Sequence, residues 1–465
     1  MKYKIITLVG VLGVVVLLWL SNSIFVKTPP QIGSEEWINE KMKAYPEIAW
    51  LGGEGVRQTH DMQKGNMANN DQSPSFLLYG KKYPEFDRSV LSLMCLSWLI
   101  EGTESAYKAF TSAQKEPDKL SYDSFLNLHK RYAAMIASGV THKDFEIALV
   151  LGDTGKTETA RAYFKEITVS DHDEFLKEAL QRDAALFPTF KELTPWAQEI
   201  LPQVSGIIHF GHFLHLEGGI EMIMPLIESH IIERDPKALE FDFLVHIADV
   251  SGAGGHVNPT SSIVLTENVY KALMAMDTSL LLLKKEEMTA QDVLENYIKI
   301  RASWIGLASN TPEDRILTRL GAMIRLYEKT DGEILKSAFK KFDLTQQNLF
   351  IEMFDPLSPD LPSVTPTYIP AVFVNLYNNK SLGETPQERL TKTLDLGLPF
   401  VSHVLKIYQD QMSEGKMNIN DPLNFNDIAR VAKENPEALT TLPFFISPEN
   451  NVMEKKDGTL SQGEK

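Results

Sequence analysis

The sequence predicts an all-α protein, and three observations carry that prediction. Apolar residues recur with a period near 3.6 rather than 2 in 121–138, 144–153, 174–187, 196–216, 220–232 and 238–250. Helix starts are marked: Thr141-x-x-Asp144 and Asp171-x-x-Glu174 have capping-box character. Thr194-Pro195, Thr311-Pro312 and Thr385-Pro386 each set a capping Thr before a Pro at the first helical position. Clear strand alternation is nearly absent, with only 262–265 and 371–374 reading as short extended pieces.

Taken in order, the chain opens with Lys2 and Lys4 and then carries no charge until Lys27. At about 1.5 Å per residue, 5–26 is long enough to cross a hydrocarbon core of roughly 30 Å. Two readings fit: an uncleaved signal anchor, preferred for the length of the run, and a cleaved signal peptide with Ser21-Asn22-Ser23 as the cut site. The flanking lysines keep the N-terminus cytoplasmic. The expected protein is therefore single-pass, membrane-bound through this helix, with its body on the periplasmic or extracellular side, or secreted if cut. Pro29-Pro30 and Gly33-Ser34 mark a linker, and a helix over 35–44 should end at Pro46. His60-Asp61 falls in the polar stretch 52–74 and reads as an exposed loop pair.

Helices are expected over 87–101 and 104–115, then in the six periodic stretches. Beyond the turn Gly252-Ala253-Gly254-Gly255 they resume at 267–284, 289–307, 312–329 and 331–341. A Pro-rich connection over 355–370, two or three more helices to about 442 and a polar, disordered tail over 447–465 complete the chain. The regions are then 1–27, anchor or signal peptide; 28–118, N-terminal helices; 119–260, a helical core; 261–446, C-terminal helices; and the tail. Asn379-Lys380-Ser381 matches a glycosylation sequon, relevant only in a eukaryotic secretory route.

Hydrophobic residues at 43% and charged residues at 23% describe an ordinary globular chain, long enough at 465 residues for two or three domains. A formal charge of −16 opposes non-specific binding to nucleic acid and to anionic lipid. Small anionic substrates remain open, since a local cation or metal reverses the field within one cleft. Cys95 is the single cysteine, so neither an intrachain disulfide nor a thiolate cluster can form, and its apolar neighbours make it a buried hydrophobe.

The candidate chemistry lies in 121–253. His129 sits mid-helix, Asp153 ends an apolar helix in Leu151-Gly152-Asp153-Thr154-Gly155-Lys156, and His172 opens another. His209 and His212 stand three apart, which puts both imidazoles on one helix face, and His246 and Asp249 repeat that spacing. Imidazole and carboxylate without thiolate suit Fe, Mn, Zn or Mg. Taken singly, each His reads first as a hydrogen-bonded core residue, and Lys156 as a cation favoured by the helix dipole. No complete P-loop, nucleophile elbow or His-Glu-x-x-His helix is present.

In this order, His129, Asp153-Thr154-Gly155-Lys156, His172, His209 or His212, and Asp249 in Ile247-Ala248-Asp249 resemble the HD-domain superfamily of metal-dependent phosphohydrolases, over about 120–255. The segment Asp171-His172-Asp173-Glu174-Phe175 resembles that superfamily's inositol-oxygenase branch. The resemblance implies an HD-like helical core. It also implies one or two divalent ions held by His129, Asp153, His172, His209, His212 and Asp249, with Asp153 bridging and Lys156 on a substrate phosphate. The chain departs at Gly152, where the family has a His. That leaves a one-metal site, a site completed by His142, His215 or His246, or no metal. The expectation is a membrane-anchored, metal-dependent hydrolase of a small phosphoester or nucleotide, with Asp153 and Lys156 catalytic. A degenerate scaffold that binds a partner or ligand without turnover is the alternative, and a di-iron oxygenase is another. Oligomeric state is open.

Overall fold

A computed structural model of the chain describes residues 30–455 apart from 54, 57–72, 170–171, 286, 359–364 and 416–421. The expected anchor over 1–27, the pair His60-Asp61, the capping Asp171 and the last ten residues of the tail lie outside the described residues. Among the described residues no helix is long and apolar enough to cross a membrane.

The protein is all-α. Its first half comprises α1 (Glu35–Ala44), α2 (Pro74–Tyr79), α3 (Pro84–Glu101), α4 (Glu104–Phe110), α5 (Tyr122–Ala137), α6 (His142–Gly152), α7 (Glu158–Tyr163), α8 (His172–Asp183), α9 (Pro195–Val204), α10 (Phe210–Leu214), α11 (Met224–Glu228), α12 (Ile231–Arg234) and α13 (Pro236–Gly252). Its second half comprises α14 (Glu267–Leu280), α15 (Ala290–Trp304), α16 (Pro312–Ile324), α17 (Asp331–Phe339), α18 (Leu344–Phe354), α19 (Ile369–Asn378), α20 (Pro386–Ser413) and α21 (Asn426–Glu434), then the strands β1 (Phe444–Ile446) and β2 (Val452–Glu454).

The capping chemistry works as expected. Thr141 and Asp144 close a reciprocal capping box at α6, and Thr194, Thr311 and Thr385 cap helices whose first residue is Pro. Four expectations change. The stretch 196–216 is two helices, because Gly206 turns the chain in the left-handed region (φ +67°) between α9 and α10. The stretch 220–232 is likewise divided, with His230 at φ +53° ahead of α12. Residues 371–374 are helical, inside α19, and 262–265 form no strand. The tail is folded through 455: Val452 is fully buried, Phe444 packs on Phe400 at 5.2 Å, and the two strands pair antiparallel.

Helix α3 is the axis of the first half, with nearly every residue from Pro84 to Leu99 buried. Helix α13 crosses it closely enough that a Cβ on Gly252 would stand 2.1 Å from Ser92 Oγ and 2.4 Å from its backbone N. A Cβ on Gly255 would meet the Asp87 carbonyl oxygen at 2.6 Å. The glycine-rich turn is thus a packing device, which sets the C-terminal end of α13 against the first turns of α3. The buried apolar residues form one cluster from Trp37 to Ile298, joined by Ala322, and a second from Ala302 to Val452. The first runs without a break across 118/119 and 260/261. A cleft opens where the two clusters meet.

Candidate functional site

The cleft has a volume of about 510 Å³. Of the seven residues to which the resemblance gives a role, six line it: Asp153, Lys156, His172, His209, His212 and Asp249. The seventh does not. His129 Nδ1 lies 3.1 Å from the Leu99 carbonyl oxygen, and its ring rests on Gly102, at the far end of α3. Along that helix Leu99 and Arg88, which does line the cleft, are about 16 Å apart. His129 serves the C-terminus of α3 rather than the site.

The Asp153 turn is built by local packing. Helix α6 ends at Gly152, and a Cβ on Gly155 would stand 2.3 Å from the His172 carbonyl oxygen, so only glycine lets the turn lie against the start of α8. Gly152 itself has open space where a Cβ would stand. Both Asp153 oxygens are engaged: Oδ1 accepts from Lys156 Nζ at 2.6 Å and Oδ2 from Ser89 Oγ at 2.8 Å. Lys156 also donates to Glu85 Oε2 at 3.0 Å, and Arg88 reaches the same carboxylate at 3.3 Å. Burial disfavours the Asp153 carboxylate, but Lys156, Arg88 and His172 outweigh it and hold its pKa below the usual range. Burial likewise opposes the Lys156 ammonium, and Asp153 and Glu85 overcome it, so the pair is ionised.

His172 Nε2 lies 3.4 Å from one Asp173 oxygen, and His209 Nδ1 lies 3.5 Å from the other. The His209 ring centroid is 5.1 Å from that of His212, although His209 caps α10 rather than sharing its helical face. His212 Nδ1 pairs with Glu217, a buried carboxylate that also accepts from Ile369 N, 3.2 Å away at the start of α19. That contact directs Nε2 to the cleft. Helix α13 contributes Asp242, His246 and Asp249 at i, i+4 and i+7, one continuous face. Burial first, and then repulsion from Asp153, pushes Asp249 up to about 6. Burial first, and then Asp173, pushes Asp242 up to about 8. Burial holds His246 down to about 4 and, with Arg325 and Arg301, His215 to about 3.

The expected divalent ions do not fit this donor set. Gly152 offers no ligand, both Asp153 oxygens already accept from side chains, and Lys156 and Arg88 set two positive charges against it. Among the described residues no three His, Cys, Asp or Glu side chains are arranged to hold a metal ion. Arg88 Nε and His246 Nε2 are buried and have no hydrogen-bond partner among the described residues, whereas buried donors and acceptors are ordinarily paired.

Sequence reasoning missed Arg88, Asp173, Glu217 and Asp242. Arg88 had a signal, as a cation inside a long apolar helix, and so had Asp242, four residues before His246. Arg325 and Tyr368, which line the cleft in left-handed backbone (φ +66° and +68°), had none.

A family model matches residues 54–435, the whole stretch that builds the cleft. The chain belongs to a family of unknown function, DUF6829. No curated protein and no solved structure matches it. DUF6829 membership assigns no activity, so function rests on the cleft.

Proposed function

We propose that the cleft binds and hydrolyses a small phosphate ester, with Arg88 and Lys156 holding the phosphate where the HD-like order of residues implied a metal. The observation that carries this reading is the buried, unpaired Arg88 Nε in the cleft that Lys156 and Gly152 also line. Guanidinium and ammonium groups held partly out of water neutralise phosphoryl oxygens strongly. His212, oriented by Glu217, takes a proton from the attacking water as the new P–O bond forms. Asp249, with its pKa raised, gives a proton to the leaving alkoxide as the ester P–O bond breaks. The uncharged run 5–26 supports a body tethered to the outer face of a membrane.

The test is calorimetric titration of the purified full chain with inorganic phosphate and phosphate monoesters, before and after chelation, together with elemental analysis. Saturable binding indifferent to chelator, weakened at least about tenfold by Arg88→Met, is the expected result. Near-stoichiometric Fe, Mn or Zn whose removal abolishes binding would replace this reading with a metal-dependent one. Binding without release of phosphate would leave a ligand-binding scaffold.

A further inference from the structure

The charges lining the cleft are segregated along α13. At its C-terminal end, Asp249 stands against Asp153 and then the two cations Arg88 and Lys156, with Asp173 acting more weakly, and Ser92 Oγ donates to its carbonyl oxygen at 3.4 Å. Two turns earlier neither Arg88 nor Lys156 acts on the helix. The charges set against Asp242 are Asp173 and His209, and the same two act on His246. Arg88 and Lys156 act instead on Asp249, and Asp173, which Lys156 also reaches, lies between the two ends. Asp249 and Asp242 are seven residues apart on one helix face, about 10 Å of axis at 1.5 Å per residue. The distant end offers acceptors: the Asp173 and Asp242 carboxyls and the buried, unpaired His246 Nε2.

Resting on the reading above, we infer that the substrate is a phosphate monoester bearing an ammonium or hydroxyl donor about 10 Å from its phosphorus, bound by Asp242 and His246. Such a ligand has its anionic end against the two cations and its donor end against the acceptors. Inorganic phosphate fills only the first half, and a phosphate ester with an alkyl tail would bury His246 Nε2 and Asp242 against methylene groups, which costs affinity.

A chain-length series provides the ruler. Inorganic phosphate, hexyl phosphate, 2-aminoethyl phosphate and 6-aminohexyl phosphate are titrated calorimetrically into the full-length protein, its Asp242→Asn variant and its Arg88→Met variant. The six-carbon amine spans the required distance and should bind at least about tenfold more tightly than the other three. Asp242→Asn should erase that advantage and leave the affinity for inorganic phosphate unchanged, while Arg88→Met should weaken all four. Circular dichroism of each variant separates lost contacts from lost fold, and His246→Gln is the substitute if Asp242→Asn does not fold. If the four probes bind alike, or if the advantage survives both Asp242→Asn and His246→Gln, the donor subsite is refuted and the phosphate site stands. If none of the four binds, the phosphate reading itself fails and the subsite with it.

Discussion

Gly152 performs none of the tasks that usually require glycine. Its backbone is not in the left-handed region, and beyond its own helix and flanking residues no heavy atom lies within 4 Å of where its Cβ would be. Gly155, three residues on, is pinned against the His172 carbonyl at 2.3 Å. A glycine in helical conformation costs roughly 0.5–1 kcal/mol relative to alanine, so what Gly152 contributes is room in the cleft. Gly152→Ala is therefore expected to raise stability by about that amount, read from the denaturant midpoint, while weakening phosphate-ester binding. Gly152→Leu should weaken it further, and an affinity indifferent to leucine would show that the space is not used. At this scale the sequence disclosed a good part of the site, because Asp153, Lys156, His172, His209, His212 and Asp249 do meet in one cleft. It could not separate His129 from them. The partner that claims His129 is a backbone carbonyl thirty residues away, and such contacts leave no trace in residue type.

Periodicity was the most legible property of the elements. Long apolar repeats became α3, α5, α6 and α13 with ends close to those expected, and in the last three a capping side chain satisfies one of the first free N–H groups. The failures were short elements: α10, α11 and α12 are too brief for a period to declare itself, and glycine or left-handed residues between them decide the breaks. Helix α13 illustrates what an element adds to its residues. Its polar face lines the cleft half-buried, and loss of solvent together with Asp173 pushes Asp242 up to about 8. A folded pKa above the unfolded value near 4 means that this group's contribution is fully present at low pH and is lost as pH rises through 8. The thermal midpoint of Asp242→Asn should therefore equal that of the wild type near pH 4 and exceed it by a growing margin from pH 5 to 9. The charges facing the group, Asp173 from α8 and His209 from the start of α10, are present in both proteins, so the difference isolates Asp242. A margin that does not change with pH would mean that Asp242 is solvated and ordinary.

For the whole molecule, the C-terminal half supplies the roof of the site, a role that no motif in it announced. Thr367, Tyr368 and Asn375 close the cleft from one side, and Ile369 N fixes the Glu217 carboxylate that orients His212. Another part of the lining is a five-residue helix, α10, too short to hold its own position. It is held by carbonyl contacts from the second half. Tyr297 Oη and Arg301 Nη1 donate to the Leu214 oxygen at 2.7 and 3.2 Å, and Arg319 donates to the oxygens of Leu216, Glu217 and Phe354. Arg319 is fully buried, yet burial lowers its pKa only to about 10, because Glu221, Glu217 and Asp355 offset the loss of solvent, so the guanidinium is charged at neutral pH. Replacing it with Met would strand three buried carbonyls and should cost roughly 3 kcal/mol. The loss should be local first. Hydrogen exchange of 212–217 is expected to accelerate well before that of α3 and α13, with phosphate-ester binding falling in step, because His212 then loses its carboxylate partner. Arg319→Lys, which keeps the charge but not the planar fork, should fall between the two. Acceleration shared equally by α3 would instead mean that Arg319 supports the fold at large, and that the site wall stands without the clamp.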